Sequence, residues 1–275
     1  MILLKISLDR ETEVYLNSIA TSLAGKTVLI TGACGHIGRE LCSMYASLGC
    51  NLIAIDIKKE RSEFFLNFKH ITCDYFYCDL GNAESRNDLI NMLLKYSSID
   101  VLINNAAYIG SSNLSGWSAK FQNQSLETWD LAMNVNLTSA FHLSQAISHL
   151  LSNNINGKII NVASIYGFLG PNWSLYEATD MANPAAYATS KGGLIQLTRW
   201  LSTTLAPNIN VNAISPGGIY RNQPEEFVAR YIEKTPLGRM ASVEDLLGTF
   251  LFLSSDMSNY ITGQNIIVDG GWSTW

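Results

Sequence analysis

Thr27 to Thr31 reads as a short buried strand that runs straight into Gly32-Ala33-Cys34-Gly35-His36-Ile37-Gly38, after which apolar residues fall at helical spacing. Each glycine has its own task there: Gly32 permits a tight turn, Gly35 lets the backbone approach a pyrophosphate, and Gly38 lets the helix pack against the strand. The N-terminus of that helix offers unpaired N–H groups to phosphate oxygens. Asp56 closes the next strand, Asn51 to Asp56, about 20 residues further on, where a carboxylate accepts both hydroxyls of a ribose and repels a 2′-phosphate. Strand, glycine turn, helix, strand and acid in that order point to a bound dinucleotide, NAD(H) in preference to NADP(H). His36 and Cys34 enter as backbone-defined positions of the turn, because main-chain donors hold phosphate there, and Ile37 is counted with His36 among the cofactor contacts.

The same alternation continues to the end of the chain. Val101 to Asn104, Lys158 to Val162, Asn210 to Ile214 and Ile266 to Val268 read as strands; Gly38 to Leu48, Ala83 to Tyr96, Leu126 to Leu151, Ala185 to Ala206 and Val243 to Ser254 read as helices. This predicts an α/β fold of Rossmann type, a doubly wound parallel sheet in a three-layer α/β/α arrangement. No linker or repeat interrupts 25–275, so one domain is expected, preceded by an extension, 1–24, that is either an outer strand and helix or the product of a mis-chosen start codon. Asp79-Leu80 follows a further strand and is placed to hold an adenine edge, or equally to cap the helix that begins near Gly81.

Composition narrows the partners. A formal charge of −5 with no basic run disfavours nucleic acid, and no apolar stretch approaches the roughly 18 residues of a membrane span. The five cysteines have neither disulfide-framework nor Cys-x-x-Cys spacing, so no metal site is expected and the chain is assigned to the reducing cytoplasm. A small-molecule partner remains.

Tyr187 and Lys191 stand four apart on an expected helix and so share a face. A phenol with an ordinary pKa of about 10 is a poor base near neutrality, and a neighbouring ammonium favours its ionised form. Ser164 follows the strand Lys158 to Val162, at the end of the sheet where open α/β folds bind ligands, and its hydroxyl can hold a reacting oxygen.

Together with Asn104-Asn105-Ala106-Ala107, Asn136, Pro216-Gly217 and Val268-Asp269-Gly270-Gly271, these residues resemble the short-chain dehydrogenase/reductase family, in order, from about Leu23 onward. The resemblance implies hydride transfer between NAD(H) and an alcohol or ketone. It makes Asn136, Ser164, Tyr187 and Lys191 the catalytic set, with Lys191 also on the nicotinamide ribose and Asn136 kinking a helix and holding a proton-relaying water; Asn134 competes for that place. It adds Asn105, Ala106, Ala107, Tyr187, Pro216, Gly217 and Ile219 to the cofactor contacts, and implies a homodimer or homotetramer.

Departures bear on the substrate. His36 replaces a usual glycine, as in the longer sugar-nucleotide branch, yet only about 60 residues follow Gly217, too few for that branch's substrate domain. Ala107 also replaces a usual glycine, and Arg221 or Asn222 replaces a threonine that commonly contacts the carboxamide. The stretch between Ser164 and Tyr187 is longer than usual. The loops at 109–125, with Trp117 and Lys120, and 168–184, with Trp173 and Tyr176, combine aromatic and polar groups that suit a sugar, or else they serve subunit contacts. A lid is expected over 221–235, with Phe227 and Tyr231 on one face and Arg221 and Arg230 as anion contacts. Ser164, Trp173, Tyr176 and Arg221 are the candidate substrate residues. The loops resemble bacterial oxidoreductases of flagellin-glycosylation and nonulosonic-acid pathways, which implies a sugar or activated-sugar substrate. A sugar epimerase or dehydratase that retains its NAD, and a non-catalytic NAD-binding scaffold, are the alternative readings.

Overall fold

The computed structural model describes residues 22–60, 62–109, 114–153 and 156–275. Most of the expected extension, 1–24, lies outside them. Among the described residues seven strands form one sheet: β1 (Thr27–Thr31), β2 (Asn51–Asp56), β3 (Cys73–Tyr77), β4 (Val101–Asn104), β5 (Gly157–Val162), β6 (Ile209–Pro216) and β7 (Asn265–Val268). Their order is β3-β2-β1-β4-β5-β6-β7 and every pairing is parallel. The predicted fold class and the single domain are therefore found.

Alternation along each strand divides the core between the two sides of the sheet. Val28 and Ile30 of β1, Leu52 and Ala54 of β2 and Ile160 of β5 pack on one face. Leu29, Ile53, Ile55 and Ile159 pack on the other. On the first face lie α1 (His36–Ser47), through Leu41 and Tyr45, and α7 (Glu244–Ser254), through Leu246 and Phe250. On the second lie α2 (Ala83–Leu93), α4 (Ser139–Ser152) and α5 (Ala185–Leu205). Burying such side chains is worth about 1.5–3 kcal/mol each, so both faces are tied to the sheet along its length. None of the helices of the described residues is long and apolar enough to cross a membrane.

The helix expected over Leu126 to Leu151 is in fact three pieces: α3 (Leu126–Met133), a π-helical turn at Asn134–Thr138, and α4. Asn136, at the centre of the widened turn, binds the backbone of Tyr108 through both amide atoms, and that tertiary demand overrides the regular helical ladder. α2 also ends before the expected Tyr96, whose hydroxyl donates to Asp74 on β3. The strand order reverses between β1 and β4, and the carboxyl ends of these two strands open the crevice where such sheets receive ligands.

Candidate active site

The crevice is a cavity of about 380 Å³ whose floor is the turn after β1. Gly32 has φ +67°, and a Cβ there would lie 2.9 Å from Ala106 Cα; a Cβ on Gly38 would lie 2.1 Å from the Gly32 carbonyl oxygen. α1 begins at His36, after the N-cap Gly35, with no side-chain cap and no acid in its first turn, leaving the first-turn N–H groups of His36 and Ile37 at the cavity wall, while Gly35 N–H donates to the Gly32 carbonyl. Asp56, at the far end, is buried; its carboxylate accepts Cys34 N–H at 2.8 Å and Lys58 N–H at 3.1 Å, which leaves lone pairs on both oxygens for hydroxyl donors. An uncapped helix start, a cradle that a Cβ would fill and a carboxylate with free acceptors together fit a dinucleotide.

The remaining expected cofactor residues gather around the same hollow. Asp79 and Leu80 line it. Asp79 accepts Gly81 N–H at 2.9 Å, while the cap of α2 is Asn82, so the alternative role of Asp79 as that helix's cap does not hold. Asn105, Ala106 and Ala107 form the opposite wall. The Asn105 amide donates to the carbonyls of Thr31 and Gly32, and the Thr31 hydroxyl accepts the N–H groups of Asn105 and Ala106, which stitches β4 to the glycine turn. Pro216 ends β6; Gly217 and Ile219, just beyond it, line a second hollow. Tyr108, Val135 and Lys58 also face the cofactor cavity and were not singled out from the sequence, because they carry no motif of their own.

The second hollow, about 160 Å³, adjoins the first, with Ile109 and Arg221 on the boundary of both. Tyr187 faces it from the first turn of α5, with the Ser164 hydroxyl as a neighbour of its phenol. Burial pushes the Tyr187 phenol up from its ordinary value; the neighbouring Ser164 hydroxyl and the positive charge of Arg221 act in the opposite direction. The four-residue spacing assigns that electrostatic part to Lys191. Lys191 instead lies one turn along α5, buried, with Nζ donating to Val162 O at 2.6 Å and standing 5.9 Å from the Tyr187 ring centroid. Burial pushes its pKa down to about 7. Asn136 Nδ2 also donates to Ser190 Oγ at 3.0 Å, which joins the π turn to α5 between the two. All four expected catalytic residues therefore meet at one place.

The expected substrate residues divide. Tyr176 lines the second hollow and shares a 2.7 Å hydrogen bond with the Tyr166 hydroxyl, and Arg221 faces the same space. Trp173 does not: it is 58% exposed and packs beside Tyr176 from outside, because the short 3-10 turn Trp173–Tyr176 points Leu175 inward in its place. Trp117 is buried among Ala132, Ala186 and Trp129, its indole N–H donating to Ile109 O, so it supports the mouth and lines neither of these two hollows. Arg230 is not an anion contact either; its guanidinium donates to the carbonyls of Leu175 and Glu177. Phe227 and Tyr231, on α6 (Glu225–Glu233) of the expected lid segment, are buried yet also line the hollow. Asn183 was missed. It sits buried on the wall just before Pro184, a position that in sequence looks like an ordinary turn residue.

Known proteins share this arrangement. The family model described as enoyl-(acyl carrier protein) reductase matches residues 32–273. The chain is 33% identical to 3-oxoacyl-[acyl-carrier-protein] reductase of Thermotoga maritima over 90% of this chain and 98% of that protein. It is 32% identical to 2-dehydro-3-deoxy-D-gluconate 5-dehydrogenase of Escherichia coli, over 92% and 97%. It is likewise 32% identical to post-translational flagellin modification protein A of Campylobacter coli, over 91% and 99%. Among solved structures, a short-chain dehydrogenase of Leptospira borgpetersenii with bound NAD+ superposes with a TM-score of 0.81 at 35% identity, covering 92% of this chain and 95% of that one. An NAD(P)-dependent gluconate 5-dehydrogenase of Beutenbergia cavernae with bound NADP gives 0.81 at 30%, covering 93% and 100%.

Proposed function

The chain belongs to the short-chain dehydrogenase/reductase family, whose members are oxidoreductases acting on CH–OH groups, and from that premise we propose that it interconverts a secondary alcohol and a ketone on a sugar-like substrate with NAD(H) as cofactor. The observation that carries this reading is that Tyr187 faces the second hollow, with the Ser164 hydroxyl and buried Lys191 as neighbours, where that hollow adjoins the first. A reacting oxygen held there meets two hydroxyl groups at once.

When bound, the nicotinamide supplies hydride exchange with the substrate carbon. The turn after β1 and the start of α1 hold the pyrophosphate, and Asp56 takes the adenosine ribose. Ser164 orients the substrate oxygen. Tyr187 gives or takes its proton, and its raised pKa makes it a competent donor to a developing alkoxide. Lys191 reaches the second ribose and, with Asn136 behind it, carries the proton onward.

NAD is favoured over NADP because a 2′-phosphate would face the Asp56 carboxylate, although relatives bind either nucleotide. A sugar substrate is supported by Tyr166, Tyr176, Asn183 and Arg221 facing the hollow, and by relatives named for gluconate and flagellin modification; we extend it to surface-glycan synthesis on the last of these. The loop at 168–184 and the segment at 221–235 close over that substrate; of the loop at 109–125, where 110–113 lie outside the described residues, Trp117 buttresses the mouth. Exposed Trp200 and Trp275 support a homodimer or homotetramer, and five free cysteines support a cytoplasmic setting.

Calorimetric titration of NADH and NADPH into the chain and its Asp56→Ala variant tests the reading. NADH is expected to bind the parent at least about tenfold more tightly than NADPH, with that preference lost in the variant. Failure to bind NADH overturns it, as does a Tyr187→Phe variant that turns over at the parent rate.

A further inference from the structure

Among the described residues, Arg221 is the one charged residue lining the second hollow, and neither aspartate nor glutamate faces it there. Its guanidinium, unlike those of Arg39, Arg86, Arg230 and Arg239, has no hydrogen bond or ion pair among the described residues. On the wall of the same hollow, Asn183 is 5% exposed and both atoms of its side-chain amide lack a partner among the described residues. A buried amide left wholly unpaired costs about 1–3 kcal/mol for each group, and the exposed guanidinium at the rim of the same hollow keeps five donors that no acceptor among the described residues occupies. The unpaired amide faces the space beside Tyr187, and the guanidinium borders that space from the solvent side.

We propose that Arg221 and Asn183 are a recognition pair for a polyhydroxy acid, with Arg221 binding the substrate carboxylate and Asn183 a hydroxyl next to it. This rests on the oxidoreductase reading above and names its substrate class. A planar guanidinium matches a carboxylate with two parallel hydrogen bonds. The amide, donor and acceptor in one group, suits a hydroxyl that must both give and receive. The hollow of about 160 Å³ falls below the roughly 300–1,000 Å³ of pockets for larger ligands. A compact acid fits that space, whereas a nucleotide-linked sugar overfills it. Gln223 holds the Arg221 backbone N–H and the Ile219 carbonyl, which fixes the start of the lid segment and with it the reach of the guanidinium.

The probes are D-gluconate and D-galactonate, each paired with its neutral alditol, D-glucitol or galactitol, and titrated into the full chain with and without saturating NAD+. At least one acid is expected to bind about tenfold more tightly than its alditol, and Arg221→Gln is expected to erase that difference while leaving alditol binding in place. Asn183→Leu is expected to weaken the acid at least about fivefold while the melting temperature of the free protein stays the same or rises, since it removes two unpaired buried groups at nearly constant volume. A merely structural asparagine gives the reverse pattern, a lower melting temperature with acid affinity intact, and that result removes Asn183 from the pair. Equal binding of acids and alditols, no binding of either acid, or a preference that survives Arg221→Gln overturns the proposal. NADH titrated into the same samples separates the failures: NADH bound with no acid preference sinks this inference alone, and NADH unbound sinks the reading beneath it.

Discussion

Lys191 Nζ donates to the Val162 carbonyl oxygen across 2.6 Å, so the lysine that closes the Tyr-x-x-x-Lys pair is anchored to the end of β5. Burial lowers its pKa to about 7, whereas an unfolded chain keeps the proton to about 10.4. Between these values the unfolded state binds more protons than the folded one, so stability rises with pH across the window, and the burial penalty is complete below pH 7. Lys191→Met is therefore expected to stabilise the cofactor-free protein at pH 6, on the order of 2–4 kcal/mol, with the gain fading toward pH 10. Turnover should fall at least about 100-fold in the same variant. Scanning calorimetry at pH 6 and 9 checks the first claim, and a melting temperature lowered equally at both refutes it.

Two glycine-to-alanine changes should move stability in opposite directions. A Cβ on Gly38 meets the Gly32 carbonyl oxygen at 2.1 Å and the Ala33 Cα at 2.8 Å, both backbone atoms that cannot swing aside. Gly38→Ala is expected to cost about 1–3 kcal/mol and to weaken dinucleotide binding by displacing the start of α1. Gly248, exposed within α7, has no heavy atom within 4 Å of the same position. Gly248→Ala should stabilise by about 0.5–1 kcal/mol through the unfolded chain's lost freedom. Urea denaturation of the two variants reads both signs.

What the chain disclosed before its structure follows from where the determining interactions lie. β1, β2 and β4 begin and end where the sequence placed them, because buried parallel strands leave continuous apolar runs. β3, with partly exposed Cys73–Tyr77 at the sheet edge, left no such run and was not delimited. The helix break at Asn136 was expected only through the family resemblance and left no local pattern, because its cause is the Tyr108 backbone, distant in sequence. The same holds at the site. Tyr187, Lys191, Ser164 and the glycine turn announce themselves by spacing, whereas Asn183 matters only through the absence of a partner, which no sequence pattern records. Trp117 and Trp173 misled for a related reason: an aromatic residue in a long loop faces substrate, solvent or core according to contacts the loop makes elsewhere.

Arg230 fastens α6 to the long loop by donating to Leu175 O at 3.3 Å and Glu177 O at 2.5 Å. Arg230→Met keeps the aliphatic contact and removes both hydrogen bonds. With the loop freed from α6, KM for the substrate should rise about 5–20-fold while kcat stays within about threefold, because the wall of the hollow loosens and the Ser164 and Tyr187 pair does not move. Amide exchange over 172–180 should quicken in parallel. An unchanged KM with unchanged exchange would show that the clasp contributes nothing to the site.

Asn136 accepts Tyr108 N–H at 2.8 Å and donates to Tyr108 O at 3.1 Å and Ser190 Oγ at 3.0 Å, all from a side chain 2% exposed. Asn136→Asp preserves shape and the accepting oxygen but has at most one proton to give where the amide gives two. Burial raises the new carboxyl's folded pKa above its unfolded value of about 3.9. A group raised in this way adds stability that is present below the unfolded value and is lost as pH rises through the folded one. The variant should therefore lie close to the parent near pH 4 and fall behind it by about 2–4 kcal/mol at pH 8, where a buried carboxylate faces the Tyr108 carbonyl with nothing to donate. Chemical denaturation of parent and variant at both pH values decides the matter. A deficit independent of pH would mean that the side chain serves packing alone, and that the π turn persists without the asparagine's two donated hydrogen bonds.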